Sequence, residues 1–243
     1  MVTEGRWYEA QAYEKAYWQD QAQQIASGSQ GQLDWYAWKA RVMEQRLQGY
    51  LKDEEKERAQ VLEIGSGPIG IVSFLKWGNR YTLDPLETYY GSDATLSKLR
   101  SPDVKYGQGS GEQLPFEDNR FSLVILDNVL DHVHQAPRVL YEIQRVLASN
   151  GLFYLAVNIH TAWGGGLHRI LSKLKIDRGH PYTFTLPSIR EFLCEHRFRV
   201  KAEFVNSYED AKKEDMHSPS VKAKLKAYSG LSEFVYHAVC VKT

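Results

Sequence analysis

Runs of apolar residues and stretches with helical periodicity alternate along most of the chain. Nearly continuous apolar runs at residues 61–64, 121–127 and 152–157 predict strands that are buried on both faces, as in a parallel sheet. Residues 137–147 place their apolar side chains on one face of a helix that a proline begins and an Asn-Gly pair ends. This alternation predicts right-handed crossovers and an α/β fold with a mostly parallel sheet.

Weaker patterns complete the predicted sheet. Residues 80–84 and 104–106 predict a second and a third strand, and residues 198–205 and 233–241 predict two final strands. The last two are separated by a charged helical stretch at residues 208–228 and show no pattern of a parallel crossover. We therefore expect an antiparallel edge on the parallel sheet.

The first fifty residues are aromatic and helical in pattern. Two helices are predicted within residues 7–56, with a break at residues 27–31. Two interpretations stay open for them: they pack on the main domain, or their aromatic face closes over a ligand pocket. We divide the chain into an N-terminal helical cap, residues 1–58, and a main domain, residues 59–243. In the main domain, residues 159–186 form a long insert of the kind that serves as a lid.

Composition and charge restrict the function. The chain has 243 residues, 43% of them hydrophobic, which suits one large globular domain with a small attachment. Lys and Arg number 30, as do Asp and Glu, so no net charge attracts nucleic acid or an anionic membrane. Residues 1–24 are too polar for a signal peptide or anchor. Cys194 and Cys240 lie in apolar settings and are expected to be buried free thiols, which predicts a cytoplasmic protein.

A glycine-rich turn follows the first strand. Residues 61–70 read Val-Leu-Glu-Ile-Gly-Ser-Gly-Pro-Ile-Gly, and a helix is predicted at residues 71–77 with its free N–H groups aimed back at a ligand. Asp84 ends the second strand about twenty residues later, where an acid in dinucleotide folds accepts hydrogen bonds from ribose hydroxyls. A turn residue before Pro85 is the alternative. The turn alone fits nicotinamide, flavin or other nucleotide cofactors.

Several segments of the chain, taken together with their order and spacing, resemble the class I S-adenosylmethionine-dependent methyltransferases. The resemblance is to the small-molecule, methyltransferase type 11-like subgroup in particular. Residues 61–67, 83–85, 109–121 and 127–133 carry the resemblance, with residues 142–147 and Gly151. It implies a Rossmann-like sheet of seven strands in the order 3-2-1-4-5-7-6, with one antiparallel strand, helices on both faces and an N-terminal helical cap. Residues 59–243 would form the methyltransferase domain, and residues 159–186 its substrate lid.

The resemblance implies S-adenosylmethionine as cofactor and S-adenosylhomocysteine as product. Glu63 would lie near the ammonium of the methionine tail, whereas an acid there would repel the pyrophosphate of a nicotinamide cofactor. Ser110 stands where the family often has an acid that contacts adenine, so this contact would pass to Glu112 or to the Gly111 amide. The expected cofactor-binding residues are Glu63, Gly65, Ser66, Gly67, Asp84, Pro85, Ser110, Gly111, Glu112, Asp127, Asn128 and Val129.

The expected reaction is in-line transfer of the methyl group to an oxygen, nitrogen or carbon nucleophile of a small, partly apolar or aromatic acceptor. A NAD-dependent dehydrogenase and a non-catalytic S-adenosylmethionine-binding protein of the same fold are the alternatives. The (Asp/Asn)-Pro-Pro-(Tyr/Phe) string of amino-methylating DNA enzymes is absent after the fourth strand. We expect a monomer or homodimer whose partner is a small molecule, with no nucleic acid and no membrane.

The acceptor pocket is predicted between the N-terminal helices and the insert. Its expected wall residues are Tyr13, Tyr17, Trp18, Trp35 and Trp163. Deletion of residues 1–50 should then abolish turnover and leave the core folded. His160 and His180 are the candidate general bases, and His132 is expected to be largely structural. For each of these histidines, the alternative to a catalytic role is solvent exposure or a structural hydrogen bond. His132 and His134 have no other ligand-like neighbours in sequence, so no metal site is expected.

Overall fold

A computed structural model describes residues 3–28, 31–174 and 180–243, which contain a seven-stranded sheet in the order β3-β2-β1-β4-β5-β7-β6. The strands are β1 (Gln60–Ile64), β2 (Asn79–Asp84), β3 (Val104–Gln108), β4 (Phe121–Asp127), β5 (Leu147–Ile159), β6 (Phe198–Val205) and β7 (Phe234–Lys242). Strand β7 is antiparallel to both β5 and β6, and the other pairs are parallel. The predicted fold class and strand order are confirmed.

The α-helices in the described ranges lie on both faces of this sheet. They are α1 (Glu4–Ala26), α2 (Gly31–Leu47), α3 (Asp53–Lys56), α4 (Glu87–Ser92), α5 (Ala136–Val146), α6 (Ala162–Lys173), α7 (Leu186–Glu195), α8 (Tyr208–His217) and α9 (Val221–Ser229). Helix α5 ends before the predicted Asn-Gly pair because Leu147 is already extended and begins β5. The charged stretch at residues 208–228 divides into α8 and α9 at residues 218–220, where Pro219 interrupts it.

Side chains alternate along the strands between two cores. In β1, Leu62 and Ile64 join the core under α5 and α7, whereas Val61 faces the opposite core under α1 and α2. The same alternation occurs in β4, where Leu126 belongs to the first core and Ile125 to the second. Because both faces of β1 and β4 are covered, these strands are mostly apolar, which is the pattern that made them recognisable in the sequence.

The predicted helix at residues 71–77 is wrong. Only residues 65–78 connect β1 to β2, and they form a single 3-10 turn, Ile71–Phe74, between two glycines with positive φ, Gly70 and Gly78. One short turn carries little helix dipole, so an electrostatic contribution of a following helix to ligand binding is not expected here.

Helix α2 covers the part of the sheet that a longer helix after β1 would cover. Its residues Ala40, Met43 and Leu47 are at most 3% exposed and pack in one core with Val72 and Ile125. Residues 31–47 are therefore part of the hydrophobic core, and the expectation that the core stays folded without residues 1–50 is not supported. The division of the chain at residue 58 stays a prediction.

The insert at residues 159–186 contains a regular helix, α6, in spite of three consecutive glycines. Gly164 and Gly165 are buried, and a Cβ atom on them would lie 2.5 Å from the Gly230 carbonyl oxygen and 2.8 Å from Thr185 Cγ2, respectively. These glycines thus allow α6 to pack closely. Residues 175–179 of the predicted insert lie outside the described residues. No helix in residues 3–28, 31–174 and 180–243 has the length and apolarity that crossing a bilayer requires.

Candidate functional site

A cavity of about 590 Å³ lies at the carboxyl ends of β1, β2 and β4, beneath α1 and α2. Ligands bind at this edge in open α/β sheets. All predicted cofactor-binding residues except Ser110 line the cavity, as do His180 and four of the predicted aromatic wall residues. The lining includes Tyr13, Tyr17, Trp18, Trp35, Tyr36, Lys39, Glu63, Gly65, Ser66, Gly67, Asp84, Pro85, Gly111, Glu112, Asp127, Asn128, Val129, His132 and His180.

The glycine turn is held from both sides. Gly65 and Gly67 have φ angles of 67° and 61°, a conformation that strongly favours glycine. The Gly67 amide donates to Asp84 Oδ2 at 2.9 Å, and the Tyr36 hydroxyl donates to the carbonyl oxygen of Ser66 at 3.2 Å. A tyrosine from α2 and an acid from β2 therefore fix the position of the turn.

Two buried acids line this part of the cavity. Glu63 accepts hydrogen bonds from the amides of Ile71 and Val72 at 3.1 and 3.0 Å, yet burial outweighs these bonds and raises its pKa to about 8. Burial also raises the pKa of Asp84 to about 6, against the opposing bonds from the Gly67 and Leu86 amides. Both sites favour a positively charged neighbour, which would lower these pKa values again.

Lys39 on α2 is a site residue that the sequence did not reveal. Its ammonium pairs with Asp127 at the end of β4 and lies 3.9 Å from the centre of the Trp35 ring. Lys39 is the only lysine or arginine among the described residues that line the cavity. A lysine on an amphipathic helix resembles many surface lysines, so only the fold identifies it as part of the site.

Ser110 lies behind the cavity wall and acts through Glu112. The Ser110 hydroxyl donates to Glu112 Oε2, and Glu112 Oε1 accepts from the amides of His134 and Gln135 at 2.9 and 3.1 Å. The carboxylate of Glu112 therefore caps the segment that leads into α5, while the residue also lines the cavity. Gly111, between them, lies on the cavity wall.

The aromatic residues divide into a buried and an exposed group. Trp18 is 4% exposed, and a Cβ atom on Gly67 would lie 3.4 Å from its ring and 2.6 Å from Tyr36 Oη. Tyr17 and Trp35 are 43% and 42% exposed at the mouth of the cavity, with Tyr13 beside them. Trp163 is placed elsewhere: it is 71% exposed and donates to the Ser229 carbonyl oxygen, outside the cavity lining.

The two candidate bases differ in position. His180 lines the cavity next to His132, with 4.6 Å between their ring centroids. His160 is buried outside the lining, where its Nε2 is 3.6 Å from Glu233 Oε1 and its ring stacks on His168. Burial lowers the pKa of His160 to about 4, so this imidazole is neutral near pH 7 but does not face the cavity.

The sheet is mostly parallel, with a glycine turn after β1, an acid at the end of β2 and a cavity at their carboxyl edge. In α/β proteins nucleoside cofactors bind at such an edge. Residues 62–155 match the family described as "Methyltransferase domain". These residues, which include the glycine turn and Asp84, form a methyltransferase domain of the class I S-adenosylmethionine-dependent type.

Relatives of known sequence agree with this family. A malonyl-(acyl-carrier protein) O-methyltransferase of Geobacter sulfurreducens is 28% identical over 184 residues, which are 70% of this chain and 67% of that protein. An uncharacterized methyltransferase of Schizosaccharomyces pombe is 27% identical over 113 residues, and one of Mycobacteroides abscessus is 33% identical over 109 residues. These matches span 42% and 43% of this chain, and only 41% and 40% of the two relatives.

Solved structures share the fold at low sequence identity. A geranyl diphosphate methyltransferase in complex with S-adenosylmethionine has a TM-score of 0.66 and 12% identity, with 85% of each chain covered. The (4+2)-cyclase SpnF has a TM-score of 0.53 and 14% identity, with 77% of this chain and 75% of that chain covered. The fold therefore occurs in a protein named for another reaction, so it does not by itself define the chemistry.

Proposed function

We propose that this protein transfers the methyl group of S-adenosylmethionine to an oxygen, nitrogen or carbon nucleophile of a small, partly apolar acceptor. One observation carries the proposal: the glycine turn, the buried acids and an aromatic surface line the same cavity. A cofactor held at the turn would thus have the acceptor surface directly beside it. The cavity volume of about 590 Å³ is in the range of small-molecule sites.

The residues present fit the cofactor. Gly65 and Gly67 pack against Val129 and Tyr36 with no space for a Cβ atom, which lets the turn lie close to the cavity. Asp84 lies where ribose hydroxyls can donate to it. Glu63 favours the ammonium of the methionine tail, and Lys39 can pair with the carboxylate of that tail. When bound, S-adenosylmethionine supplies a methyl group on a positively charged sulfur, a good leaving group.

The acceptor would lie against Tyr13, Tyr17 and Trp35 at the cavity mouth, because Trp18 is buried against the glycine turn. Aromatic walls exclude water and align an apolar acceptor, and alignment contributes much of the rate in such displacements. His180 is the predicted base on the cavity wall. A cytoplasmic location and a monomeric or dimeric state stay predictions. Both cysteines are free thiols, but only Cys240 is buried; the expected burial of Cys194 is wrong, because its side chain is on the exposed face of α7.

Calorimetry followed by methyl-transfer assays tests the proposed function. We expect S-adenosylhomocysteine and S-adenosylmethionine to bind and NAD to give no heat. When S-adenosylmethionine carries an isotope label in its methyl group, the label should then appear in a compound of a metabolite extract. NAD binding would favour the dehydrogenase. Cofactor binding without transfer to any extract compound would favour a protein that uses this fold without methylation. The cyclase SpnF, which is named for another reaction, has this fold.

Replacing Asp84 with alanine is expected to weaken S-adenosylhomocysteine binding by about 1.5–3 kcal/mol, the contribution of hydrogen bonds to a charged group. Asp84 is buried and also accepts from the Gly67 amide, so its loss removes a ribose acceptor and loosens the turn. The dissociation constant should rise roughly 10- to 150-fold by calorimetry. Asp210→Ala, which removes an exposed acid on α8, is the matched control and should bind normally. An unchanged constant in Asp84→Ala would remove this residue from the site.

Cofactor affinity is expected to increase with pH between about 5.5 and 8. Burial raises the pKa of Asp84 to about 6 and that of Glu63 to about 8, so both become anions across this range. The carboxylate form of Asp84 accepts hydrogen bonds from the ribose better, and that of Glu63 attracts the ammonium, so cofactor binding favours both anions and releases protons. The increase should end near pH 8, where the α-amino group of the cofactor loses its own proton at a pKa of about 7.7–8.0.

Titration calorimetry at several pH values and in buffers of different ionisation enthalpy measures both effects. Asp84→Asn should flatten the lower part of the profile and Glu63→Gln the upper part. The same raised pKa values mean that the folded protein keeps these protons longer than the unfolded chain. Its free energy of unfolding therefore falls as pH rises from the ordinary values of 3.8 and 4.5 through about 6 and 8. A fall in affinity over this range would contradict the assignment of the ribose to Asp84 and of the ammonium to Glu63.

A further inference from the structure

Two cavity histidines and a buried carboxylate meet at one end of the cavity. Asp131, His132 and His180 each contribute one ligand-type atom to a group whose members lie within 4.8 Å of one another. Asp131 Oδ1 is 3.8 Å from His132 Nε2. We propose that these three side chains form a binding site for a divalent transition-metal ion such as Zn²⁺ or Fe²⁺.

The ligand set suits that class of ion. Two imidazoles and one carboxylate bind zinc in catalytic sites and iron in facial triads, and both arrangements leave positions open for another ligand. Bonds of about 2.0–2.2 Å in tetrahedral geometry would place the ligand atoms roughly 3.4 Å apart. The present separations of 3.8 Å and up to 4.8 Å would therefore close by small side-chain rotations.

Asp131 supplies an independent observation. Its side chain is 3% exposed, and its Oδ1 atom accepts no hydrogen bond from any of the residues that the structure describes. A buried carboxylate oxygen without a partner costs free energy, and a cation at this point would remove that cost. This oxygen is the one that lies 3.8 Å from His132 Nε2, another atom of the proposed ligand set.

The scaffold fixes the two segments that carry these ligands. Tyr182 connects them: its amide donates to the carbonyl oxygen of Asp131 at 3.2 Å, and its hydroxyl donates to that of His134 at 3.0 Å. The Ser172 hydroxyl donates to the carbonyl oxygen of His180 at 3.2 Å. The hydrogen bonds of Tyr182 thus hold together the two segments that carry the proposed ligands, although these segments are nearly fifty positions apart in the chain.

A second group, His160, His168 and Glu233, also brings ligand atoms within 4.8 Å. There, however, Lys226 Nζ lies 2.5 Å from Glu233 Oε2, so a positive charge already neutralises the carboxylate and would repel a metal ion. None of these three residues lines the cavity. The group around Asp131 is therefore the better metal site.

His132 and His180 line the cavity, so the open side of the metal site faces it. An oxygen or nitrogen donor of a ligand in the cavity would complete the coordination of the metal ion. This contact between ligand and metal rests on the proposed function, whereas the metal site itself does not. A coordinated imidazole nitrogen has no lone pair for a proton. At the metal site His180 would therefore be a ligand and not the general base.

Equilibrium dialysis of the untagged protein against Zn²⁺ and Co²⁺, with absorption spectra of the Co²⁺ form, tests the site. We expect one bound equivalent. Asp131→Asn, His132→Ala and His180→Ala should each lower the metal affinity. Removal of an outer-shell partner already lowers it roughly 10- to 100-fold, so the loss of a direct ligand should be at least as large. Thermal melting of each variant verifies that it is folded.

His217→Ala is the matched control and should bind the metal normally. This histidine lies on α8, and in the described contacts its Nδ1 contacts only the backbone of its own helix. His168→Ala examines the second group and should also bind normally. Loss of metal in His168→Ala with retention in His180→Ala would overturn the assignment. Binding of S-adenosylhomocysteine without any metal binding would also overturn it and leave the proposed function standing.

Discussion

Gly67→Ala is expected to lower the free energy of unfolding by about 2–5 kcal/mol and to abolish measurable cofactor binding. Gly67 has a φ angle of 61°, where a side chain costs about 1–2 kcal/mol. Its added Cβ atom would also lie 2.6 Å from Tyr36 Oη, and overpacking of this kind costs about 1–3 kcal/mol. The turn must then shift, which breaks the hydrogen bond from the Gly67 amide to Asp84.

Two further variants separate these causes. Gly166→Ala adds the same methyl group to an exposed position of α6 with no atom within 4 Å, so it should leave binding unchanged and slightly stabilise the helix. Gly67→Ala combined with Tyr36→Phe removes the overlapping oxygen and should recover part of the stability lost. Denaturant unfolding and calorimetry with S-adenosylhomocysteine measure both effects. Normal binding by Gly67→Ala would show that the turn does not approach the cofactor.

Local signals in the sequence were enough to predict the sheet. Strand β4, Phe121–Asp127, was predicted with its observed bounds because a strand buried on both faces is apolar along its whole length. The glycine turn and Asp84 were predicted as neighbours because the carboxyl ends of parallel strands meet at one edge. The sequence therefore located the cofactor half of the cavity from features that need no knowledge of distant contacts.

The other half of the cavity depends on contacts between distant residues. Lys39 is 88 positions from its partner Asp127, and no periodicity connects them. His180 meets Asp131 only because Tyr182 joins the insert to the segment before α5. The sequence places Asp131 beside His132, but the third proposed ligand, His180, lies nearly fifty positions away, so the sequence pattern did not indicate a metal site.

The wrong helix at residues 71–77 has a similar explanation. The segment is apolar enough for a buried helix, but the sheet face above it is already occupied by α2 from another part of the chain. With that face covered, the connection needs only one 3-10 turn. The N-terminal helices thus serve two purposes: Trp35 and Lys39 line the cavity, while Met43 packs in the core.

Deletion of residues 1–50 is accordingly expected to prevent cooperative folding, the largest effect that we predict. The deletion would expose the sheet face formed by Val61, Ile125 and Tyr154, each at most 1% exposed in the full chain. Exposed apolar area of this kind costs about 25 cal/mol per Å², and a domain has only about 5–15 kcal/mol of net stability. Circular dichroism should show no cooperative melting transition, and dyes that bind exposed apolar surface should bind at room temperature.

Point variants on α2 test the same cause in the full-length chain. Met43→Ala removes a fully buried side chain and should lower the free energy of unfolding by about 2–5 kcal/mol. Trp38→Ala is the matched control, since Trp38 lies on the same helix but is 49% exposed, and its change should be within about 0.5 kcal/mol. A deletion variant that melts cooperatively and binds S-adenosylhomocysteine would contradict this assignment of α2 to the core. In that case the N-terminal helices would be a separable cap, and the loss of turnover alone would measure their contribution to the acceptor site.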